Sequence, residues 1–265
     1  MHAGMRLGDI ENLLNKFAPP LEAEPWDNVG LLVGDREAAV DVVLFTVDYT
    51  DAVAAEARAL GAGLVVAYHP PIFSPLKRLD EASPVFRAIR DGVALYSPHT
   101  ALDVVAGGTN DLLADALQLT DRTPLRPRTS RSGDGTVVGL GRIGRLPEAI
   151  SRPAALLALK RALGVEHALL AGPHDGDVTR VAVGAGACGD LYKGAIAAGA
   201  ELYVTGEMRH HDALACAAAG LTVVCMLHSN SERAAVRAYA ERVLASAAGL
   251  RALVSAVDRD PFRFA

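Results

Sequence analysis

The stretch that decides the fold is DVVLFTVDYTDAVAAEARALGAGLVVAYHPP, residues 41–71. Its first part, Asp41 to Val47, is apolar and β-branched, which predicts a buried strand. The run from Ala52 to Leu60 has the composition of a helix, and Gly63 to Tyr68 is a second apolar strand. Because parallel strands need a crossover connection, a strand–helix–strand unit with apolar strands predicts a mainly parallel sheet covered by helices.

Local signals mark where the helix of this unit begins and ends. Thr50 or Asp51 is a suitable N-cap, since a short polar side chain can accept a hydrogen bond from a free backbone N–H group. Gly61 follows the last helical residue and is a typical C-terminal stop. Ser151 with Pro153 predicts another helix start by the same preferences.

The alternation of strands and helices continues along the chain. Further strands are predicted at Val93–Tyr96, Thr136–Leu140, Thr179–Val183, Glu201–Val204, Leu221–Met226 and Leu250–Val257. Further helices are predicted from Ser83, from Thr109 or Asn110, and over Gly189–Ala198, Arg209–Ala219 and Glu232–Ala247. We therefore predict an α/β fold of two lobes with mainly parallel or mixed sheets.

A change of composition suggests where the lobes meet. Between Leu119 and Gly135 the hydrophobic period is lost, and Arg, Thr, Ser, Pro and Gly dominate, so this segment is predicted to be a linker. We expect residues 1–125 plus 225–265 to form a metal-binding α/β lobe and residues 126–224 a second α/β lobe.

The overall composition excludes several classes of protein. Half of the residues (51%) are hydrophobic and 22% are charged, so a folded core is expected. A formal net charge of −5 argues against sequence-independent nucleic-acid binding. The five arginines of the basic segment can contact phosphates or form a solvated loop; they are Arg126, Arg128, Arg131, Arg142 and Arg145.

Sequence signals for secretion or membrane insertion are weak. The N-terminal residues lack an apolar signal core, and the longest uncharged apolar run, Ala213–Leu227, is shorter than the roughly 20 residues that span a bilayer. The three cysteines, Cys188, Cys216 and Cys225, show no C-x-x-C spacing and suggest ordinary thiols of a reducing compartment. We expect a soluble, cytoplasmic chain.

Metal-competent side chains follow four predicted strands at the point where each strand ends. His69 and His99 end two early strands, and Glu207 and His228 follow two later ones. In open α/β sheets, ligands bind just beyond the carboxyl ends of the strands. One histidine at such a position is usually a hydrogen-bonded loop residue, whereas four polar side chains placed alike favour a metal site.

Two spacings strengthen the prediction of a metal site. H-x-x-x-D and H-x-x-x-E each place a carboxylate about one helical turn after a histidine. Such a carboxylate can fold back toward its imidazole, and imidazole with carboxylate suits Zn, Mn, Fe, Co or Ni. We predict a divalent metal site that draws on His69, His99, Asp103, His228 and Glu232.

Five motifs, in order, resemble those of the Nif-three-like family and cover the chain from Trp26 to Glu232. Trp26-Asp27-Asn28-Val29-Gly30-Leu31 is similar to the family's W-D-N-x-G-L, and His69-Pro70-Pro71-Ile72-Phe73 to its H-H-P-x-x-F. The remaining three are His99-Thr100-Ala101-Leu102-Asp103, the pair Thr205-Gly206-Glu207 and His210-His211-Asp212, and His228-Ser229-Asn230-Ser231-Glu232.

The resemblance implies a two-lobed α/β fold assembled as a homohexamer, a toroid of dimers. Some larger members of the family insert a further domain between the lobes, but only about sixty residues separate Asp121 from Arg180 here, so we expect no inserted third domain. The resemblance also implies a dinuclear metal centre, and such proteins are often labelled GTP cyclohydrolase I type 2 homologues. Carried over to this chain, one ion would use His69, Asp103 and Glu232. The second ion would use His228 and the same Glu232, which would bridge the two.

Tyr68 is a departure from the family pattern, because it stands where the H-H-P motif has its first histidine. A phenol, with a reference pKa of about 10, ligates a metal only after losing its proton. We therefore expect Tyr68 to be a poor ligand and the second ion position to be weak or empty, so the chain would hold one or two ions.

Hydrolysis is the reaction that the predicted metal site suits best, because a bound divalent ion lowers the pKa of water to about 7. His99, His210 or His211 would serve as general acid or base, and Glu207 could orient one of these imidazoles. Ring-opening of a purine nucleotide and cleavage of an amide or phosphoester all remain open for the small-molecule substrate. The contrasting hypothesis is a non-catalytic, metal-stabilised hexameric scaffold or metal-handling protein.

Overall fold

The computed structural model describes residues 4–247 and 249–263. Its strands are β1 (Met5–Arg6), β2 (Gly30–Val33), β3 (Ala39–Val40), β4 (Val42–Thr46), β5 (Leu64–Ala67), β6 (Ala94–Ser97), β7 (Thr120–Thr123), β8 (Arg126–Thr129), β9 (Val137–Leu140), β10 (Arg142–Ser151), β11 (Leu169–Ala171), β12 (Asp177–Gly184), β13 (Leu202–Thr205), β14 (Thr222–Cys225) and β15 (Arg251–Val254).

The helices alternate with these strands, as the sequence predicted. They are α1 (Leu7–Phe17), α2 (Asp51–Leu60), α3 (Pro84–Arg90), α4 (His99–Val104), α5 (Thr109–Asp115), α6 (Arg152–Leu163), α7 (Tyr192–Ala197), α8 (His210–Ala218) and α9 (Arg233–Ser246). Single 3-10 turns lie at Pro20–Glu22, Cys188–Leu191 and Ser229–Ser231. The mixed α/β class is confirmed. Within the described residues, no helix is both long and apolar enough to cross a membrane.

The first of two compact units contains the described residues up to Leu102 and those from Val236 to Arg259. Its sheet has the strand order β15-β4-β5-β6-β2, in which the first four strands are parallel and β2 is antiparallel to β6. Every residue of β4, β5 and β6 is buried. Strands covered on both faces explain why the sequence shows continuous apolar runs here.

The end signals of α2 act as predicted. The Thr50 hydroxyl oxygen accepts a hydrogen bond from Val53 N at 3.4 Å, which satisfies one of the free N–H groups of the first turn. Gly61 ends the helix with a φ of +66°, a left-handed conformation that glycine adopts without a side-chain clash. These local signals determine where the chain turns back into β5.

The second unit contains Asp103–Ala235 and the described residues from Asp260 onward. Its sheet has the order β11-β14-β13-β12-β10-β7. The central strands β12, β13 and β14 are parallel, and β11, β10 and β7 add antiparallel neighbours at the two sides. Both units therefore carry the predicted mixed sheet.

The segment predicted as a linker is part of the second unit, so that prediction is wrong. β7 pairs with β10, and β8 pairs with β9 in an antiparallel hairpin. The strands β7 and β8 are largely exposed, so backbone hydrogen bonds order them without a hydrophobic period. The structural units consequently divide at Leu102 and Ala235, whereas the sequence suggested residues 125 and 224.

Arg142, one of the five arginines of the basic segment, is neither solvated nor open to phosphate. It is 4% exposed and forms two hydrogen bonds with the Asp111 carboxylate, at 2.9 and 3.1 Å. Its other donors bond the carbonyl oxygens of Gly139, Gly141, Val104 and Val105. Arg142 is therefore a buried structural clamp, because its planar fork matches several acceptors at once.

Candidate metal centre

Three neighbouring parallel strands of the first unit each end in a polar side chain. Asp48 follows β4, His69 follows β5 and His99 follows β6. Because parallel strands end at the same edge of a sheet, these side chains meet there. The His69 and His99 ring centroids are 5.6 Å apart with nearly perpendicular planes. The structure thus brings together the two histidines that the sequence placed at strand ends.

Asp48 orients the imidazole of His69. Its Oδ1 lies 2.8 Å from His69 Nδ1. A carboxylate oxygen accepts a hydrogen bond, so Nδ1 carries the proton and Nε2 keeps the lone pair that can bind a cation. Sequence reasoning missed Asp48, although its position just after a strand, as for the histidines, was a usable signal.

Asp27 plays the same part for His99 and is more completely engaged. Its Oδ1 accepts from His99 Nδ1 at 2.8 Å and from Asn28 N at 2.7 Å, and its Oδ2 accepts from the backbone N–H and hydroxyl of Thr100. Burial acts to raise the pKa of Asp27, but the hydrogen bonds from His99 and Thr100 outweigh it and the pKa is lowered. Asp27 is therefore a carboxylate at neutral pH, and His99 Nδ1 is a donor.

The backbone at His99 is strained, with a φ of +27°. A non-glycine residue adopts such a value at a cost of order 1–3 kcal/mol and keeps it only where the surroundings impose it. The Asp27 hydrogen bonds to His99 and to Thr100, the next residue, supply that constraint. These hydrogen bonds hold the His99 imidazole in a fixed position beside Asp27.

In the second unit, His228 lies between two carboxylates. Glu207 Oε1 is 3.3 Å from His228 Nδ1, and Glu232 Oε1 is 3.3 Å from His228 Nε2. Leu227, just before this histidine, has a φ of +68°, which turns the chain sharply after β14. Glu207 can thus fix the Nδ1 proton, which leaves Nε2 and the Glu232 carboxylate to face a cation together.

Gly186 creates the space in which the Glu232 carboxylate lies. A Cβ at this position would stand 2.3 Å from Glu232 Oε1 and 3.2 Å from His228 Nε2, and its φ is +62°. Gly186 N also donates to Ser231 Oγ at 2.8 Å, and Ser231 Oγ donates to His228 O at 2.6 Å. The glycine-rich loop therefore packs against the candidate ligands, and its glycines were the one sequence signal of this role.

The donor set fits a transition metal. In the second unit, His228 and Glu232 offer one imidazole and one carboxylate side by side, and in the first unit His69 offers an imidazole oriented by Asp48. Mixed nitrogen and oxygen donors suit Zn, Mn, Fe, Co or Ni, whereas Mg and Ca prefer oxygen alone. Glu232 is only 3% exposed, and a buried carboxylate is costly without a positive partner.

The other predicted site residues have different surroundings. Glu207 Oε1 lies 3.3 Å from His228 Nδ1, because the loop after β13 carries Glu207 to the end of β14. Its suggested role in orienting His99, His210 or His211 stays a prediction. His210 and His211 are exposed at the start of α8, with ring centroids 5.3 Å apart. Their catalytic role stays a prediction.

Asp103 and Tyr68 also stay predictions as ligands. Asp103 is half-buried, and its carbonyl oxygen accepts from Asn110 Nδ2 at 3.0 Å. Burial, and after it the negative charge of Asp103, raises the pKa of the Cys188 thiol. Tyr68 is 1% exposed, and its ring lies 5.2 Å from that of His69 and 5.8 Å from that of His99.

An α/β fold with imidazole–carboxylate pairs at the ends of its strands defines a class of candidate metalloproteins. Residues 5–261 match the family model described as Duf34/NIF3 (NGG1p interacting factor 3), and the chain belongs to that family. The resemblance seen in the motifs is thereby confirmed.

Relatives of known sequence or structure agree with this assignment along the whole chain. The chain is 37% identical to NIF3-like protein 1 of Drosophila melanogaster, over 98% of this chain and 89% of the relative. It is 30% identical to a Clostridium perfringens protein named GTP cyclohydrolase 1 type 2 homolog, over 98% and 100%. The crystal structure of a Bacillus cereus protein related to NIF3 superimposes with a TM-score of 0.91, at 24% identity and complete coverage of both chains. The similarity to the Bacillus cereus structure, at this low identity, shows that the fold is shared.

Proposed function

We propose that this protein is a metal-dependent hydrolase that acts on a nucleotide or a related small molecule. One ion would be held by His69, Asp103 and Glu232, and a second by His228 and the same Glu232, with Tyr68 as a poor additional ligand. The donor chemistry supports this set, and Asp48 and Glu207 orient two of its imidazoles. The name of the Clostridium perfringens relative suggests the nucleotide.

The single observation that favours an enzyme over a scaffold is the Asp27–His99 pair. A bound divalent ion would supply an activated water at neutral pH. His99 has its Nδ1 proton held by a buried carboxylate, so Nε2 can accept a proton from water and return it to a leaving group. A purely structural ion needs no such neighbouring base.

Turnover tests this role directly. Purified protein loaded with Mn or Zn is incubated with GTP, a small amide and a phosphoester, and product formation is followed. His99→Gln is expected to lower the rate by about 10²–10⁴-fold, the usual contribution of a general acid or base. His167→Gln, at an exposed histidine of the second unit, is the matched control. Metal-loaded protein that turns over none of these substrates would favour the non-catalytic scaffold.

Glu232→Gln is expected to strip the metal while leaving the fold intact. Glutamine keeps the shape of the side chain but removes the negative charge that offsets the cations. Because this carboxylate is assigned to both ions, both should be lost. The metal content of the purified variant, measured by inductively coupled plasma emission spectroscopy, checks the prediction. Glu241→Gln, on the exposed face of α9, is the control. A normal metal load in Glu232→Gln would show that the bridging assignment is wrong.

Tyr68→His is expected to raise the number of ions per chain or the affinity of the weaker position. Neutral imidazole binds a divalent ion without the deprotonation that a phenol requires. Isothermal titration of metal-free protein with Zn gives both quantities. Tyr68→Phe separates the ligand question from packing, since it removes only the hydroxyl. Two fully occupied positions in the parent protein would contradict the assigned weakness.

We propose that the chains assemble as a homohexamer, a toroid of dimers, because the resemblance to the family implies this assembly. Large apolar side chains at the surface, among them Leu157, Leu169 and Leu214, are available to interfaces. Light scattering at micromolar concentration is expected to give about six times the chain mass. A monomer under these conditions would contradict the proposal.

A further inference from the structure

Two large aromatic side chains beside His99 are exposed to solvent. Trp26 is 60% exposed and Phe73 is 53% exposed. Tyr68, whose ring also contacts the His99 imidazole, is only 1% exposed. The Trp26 and Phe73 centroids are 6.0 Å apart, and they lie 6.1 and 6.5 Å from the His99 centroid. The imidazole therefore has open aromatic surface on one side and packed aromatic surface on the other.

The two loops that carry these rings are tied to each other and to the site. Asn28 Nδ2 donates to Ile72 O at 2.6 Å, which joins the Trp26 loop to the Phe73 loop. Asp27, next to Trp26, is fixed by its hydrogen bonds to His99 and Thr100. The exposed rings are thus held in place by neighbouring residues. Folding by itself does not account for two held aromatic rings that remain in water, since burying each would stabilise the fold.

We propose that Trp26 and Phe73 form a subsite that stacks a planar nitrogen heterocycle of the substrate, whose N–H edge donates to His99 Nε2. This inference rests on the proposed function, because it assigns the ring-binding part of the same site. Aromatic side chains stack on the flat face of any nucleobase, because every base has a π-face.

The hydrogen bonds around Asp27 and His99 determine which edge of the ligand can bind to His99. Asp27 already accepts from Asn28 N and from Thr100, so it is an acceptor, and His99 Nδ1 must donate to it. In the neutral imidazole Nε2 is then an acceptor. A ligand that places an N–H group there completes the pair, whereas a sugar phosphate lacks both the ring and that donor. Apolar walls with one placed polar group are the usual composition of a small-molecule site.

Tryptophan fluorescence reports on this subsite directly, because Trp26 is the single tryptophan of the chain. The metal-loaded full chain is titrated with guanosine, a planar heterocycle with ring N–H donors, and separately with ribose 5-phosphate, which has no ring system of this kind. Guanosine is expected to quench the emission to saturation. Ribose 5-phosphate is expected to leave it unchanged.

Calorimetry on variants then assigns the affinity to the two rings. Trp26→Ala and Phe73→Ala are each expected to weaken guanosine binding by about fivefold or more, the range found for loss of one stacking ring. Trp26→Phe should retain most of the affinity while losing the signal. Phe262→Ala, at a 73% exposed phenylalanine, is the matched control and should bind as the parent does. Thermal unfolding of each variant checks that the fold is kept.

Three outcomes would overturn the inference: no saturable quenching by guanosine, equal binding by Trp26→Ala and the parent, or a lower molar mass of Trp26→Ala in light scattering. The last result would mean that a second copy of the chain covers these rings. Failure of the hydrolase proposal looks different. It would appear as parent protein that binds guanosine and loses this binding in Trp26→Ala, yet turns over no substrate or carries no metal.

Discussion

Arg142→Ala is expected to lower the free energy of unfolding by about 3–5 kcal/mol, the usual cost of removing one partner of a buried ion pair. The substitution leaves the Asp111 carboxylate, only 14% exposed, without the two hydrogen bonds that Arg142 donates to it. It also leaves four backbone carbonyl oxygens short of a donor; these belong to Gly139, Gly141, Val104 and Val105. Urea denaturation followed by circular dichroism measures the loss.

A matched control lies three residues further along the same strand. Arg145 is exposed, so Arg145→Ala is expected to change the free energy of unfolding by no more than about 0.5 kcal/mol. Arg142→Lys separates the effect of the charge from that of the side-chain geometry, because a lysine keeps the charge but lacks the planar fork that reaches several acceptors. If Arg142→Ala unfolds at the same urea concentration as the parent, the clamp contributes nothing and the assignment is wrong.

Gly186→Ala is expected to reduce metal affinity by about 10–100-fold, the scale of change seen when groups that position a metal ligand are altered. The added methyl group would stand 2.3 Å from Glu232 Oε1, so the carboxylate has to leave its position. Titration of metal-free protein with Zn and metal analysis after dialysis both measure the effect.

Backbone strain must be separated from displacement of the carboxylate. Gly186 has a φ of +62°, so alanine there is also unfavourable by roughly 1–2 kcal/mol. Gly164→Ala supplies the control: its φ is +67°, and nothing lies within 4 Å of an added Cβ. This variant should lose similar stability and keep its metal. Equal metal affinity in Gly186→Ala and Gly164→Ala would show that Glu232 is not a ligand in its present position.

The parts of the fold that the sequence predicted are those governed by neighbouring residues. Strands β4, β5 and β6 follow from continuous apolar runs, and the start and end of α2 follow from Thr50 and Gly61. His69 and His99 could be placed at one sheet edge because the order of parallel strands fixes where their ends lie. Each of these inferences needs only a short window of sequence and a general packing rule.

The strand β9 was predicted, but its pairing with β8 in a hairpin could not be predicted in this way. The two strands are held together by backbone pairing, from Arg126 with Leu140 to Thr129 with Val137. Backbone hydrogen bonds leave no hydrophobic period in the sequence. Gly139, with a φ of +155°, lets the strands approach, since an added Cβ would overlap Arg126 O. A polar, glycine-containing stretch of this kind has the composition of a linker even when it is paired.

The sequence by itself determined the α/β class, the strand ends that carry His69, His99, Glu207 and His228, and the family to which the chain belongs. Only the tertiary structure decided which carboxylate orients which imidazole, and that Arg142 is buried on Asp111. The physical reason is distance along the chain. His69 and Asp48 are 21 residues apart, His99 and Asp27 are 72, and Arg142 and Asp111 are 31, so these pairs form only when the sheets bring their strands and loops together.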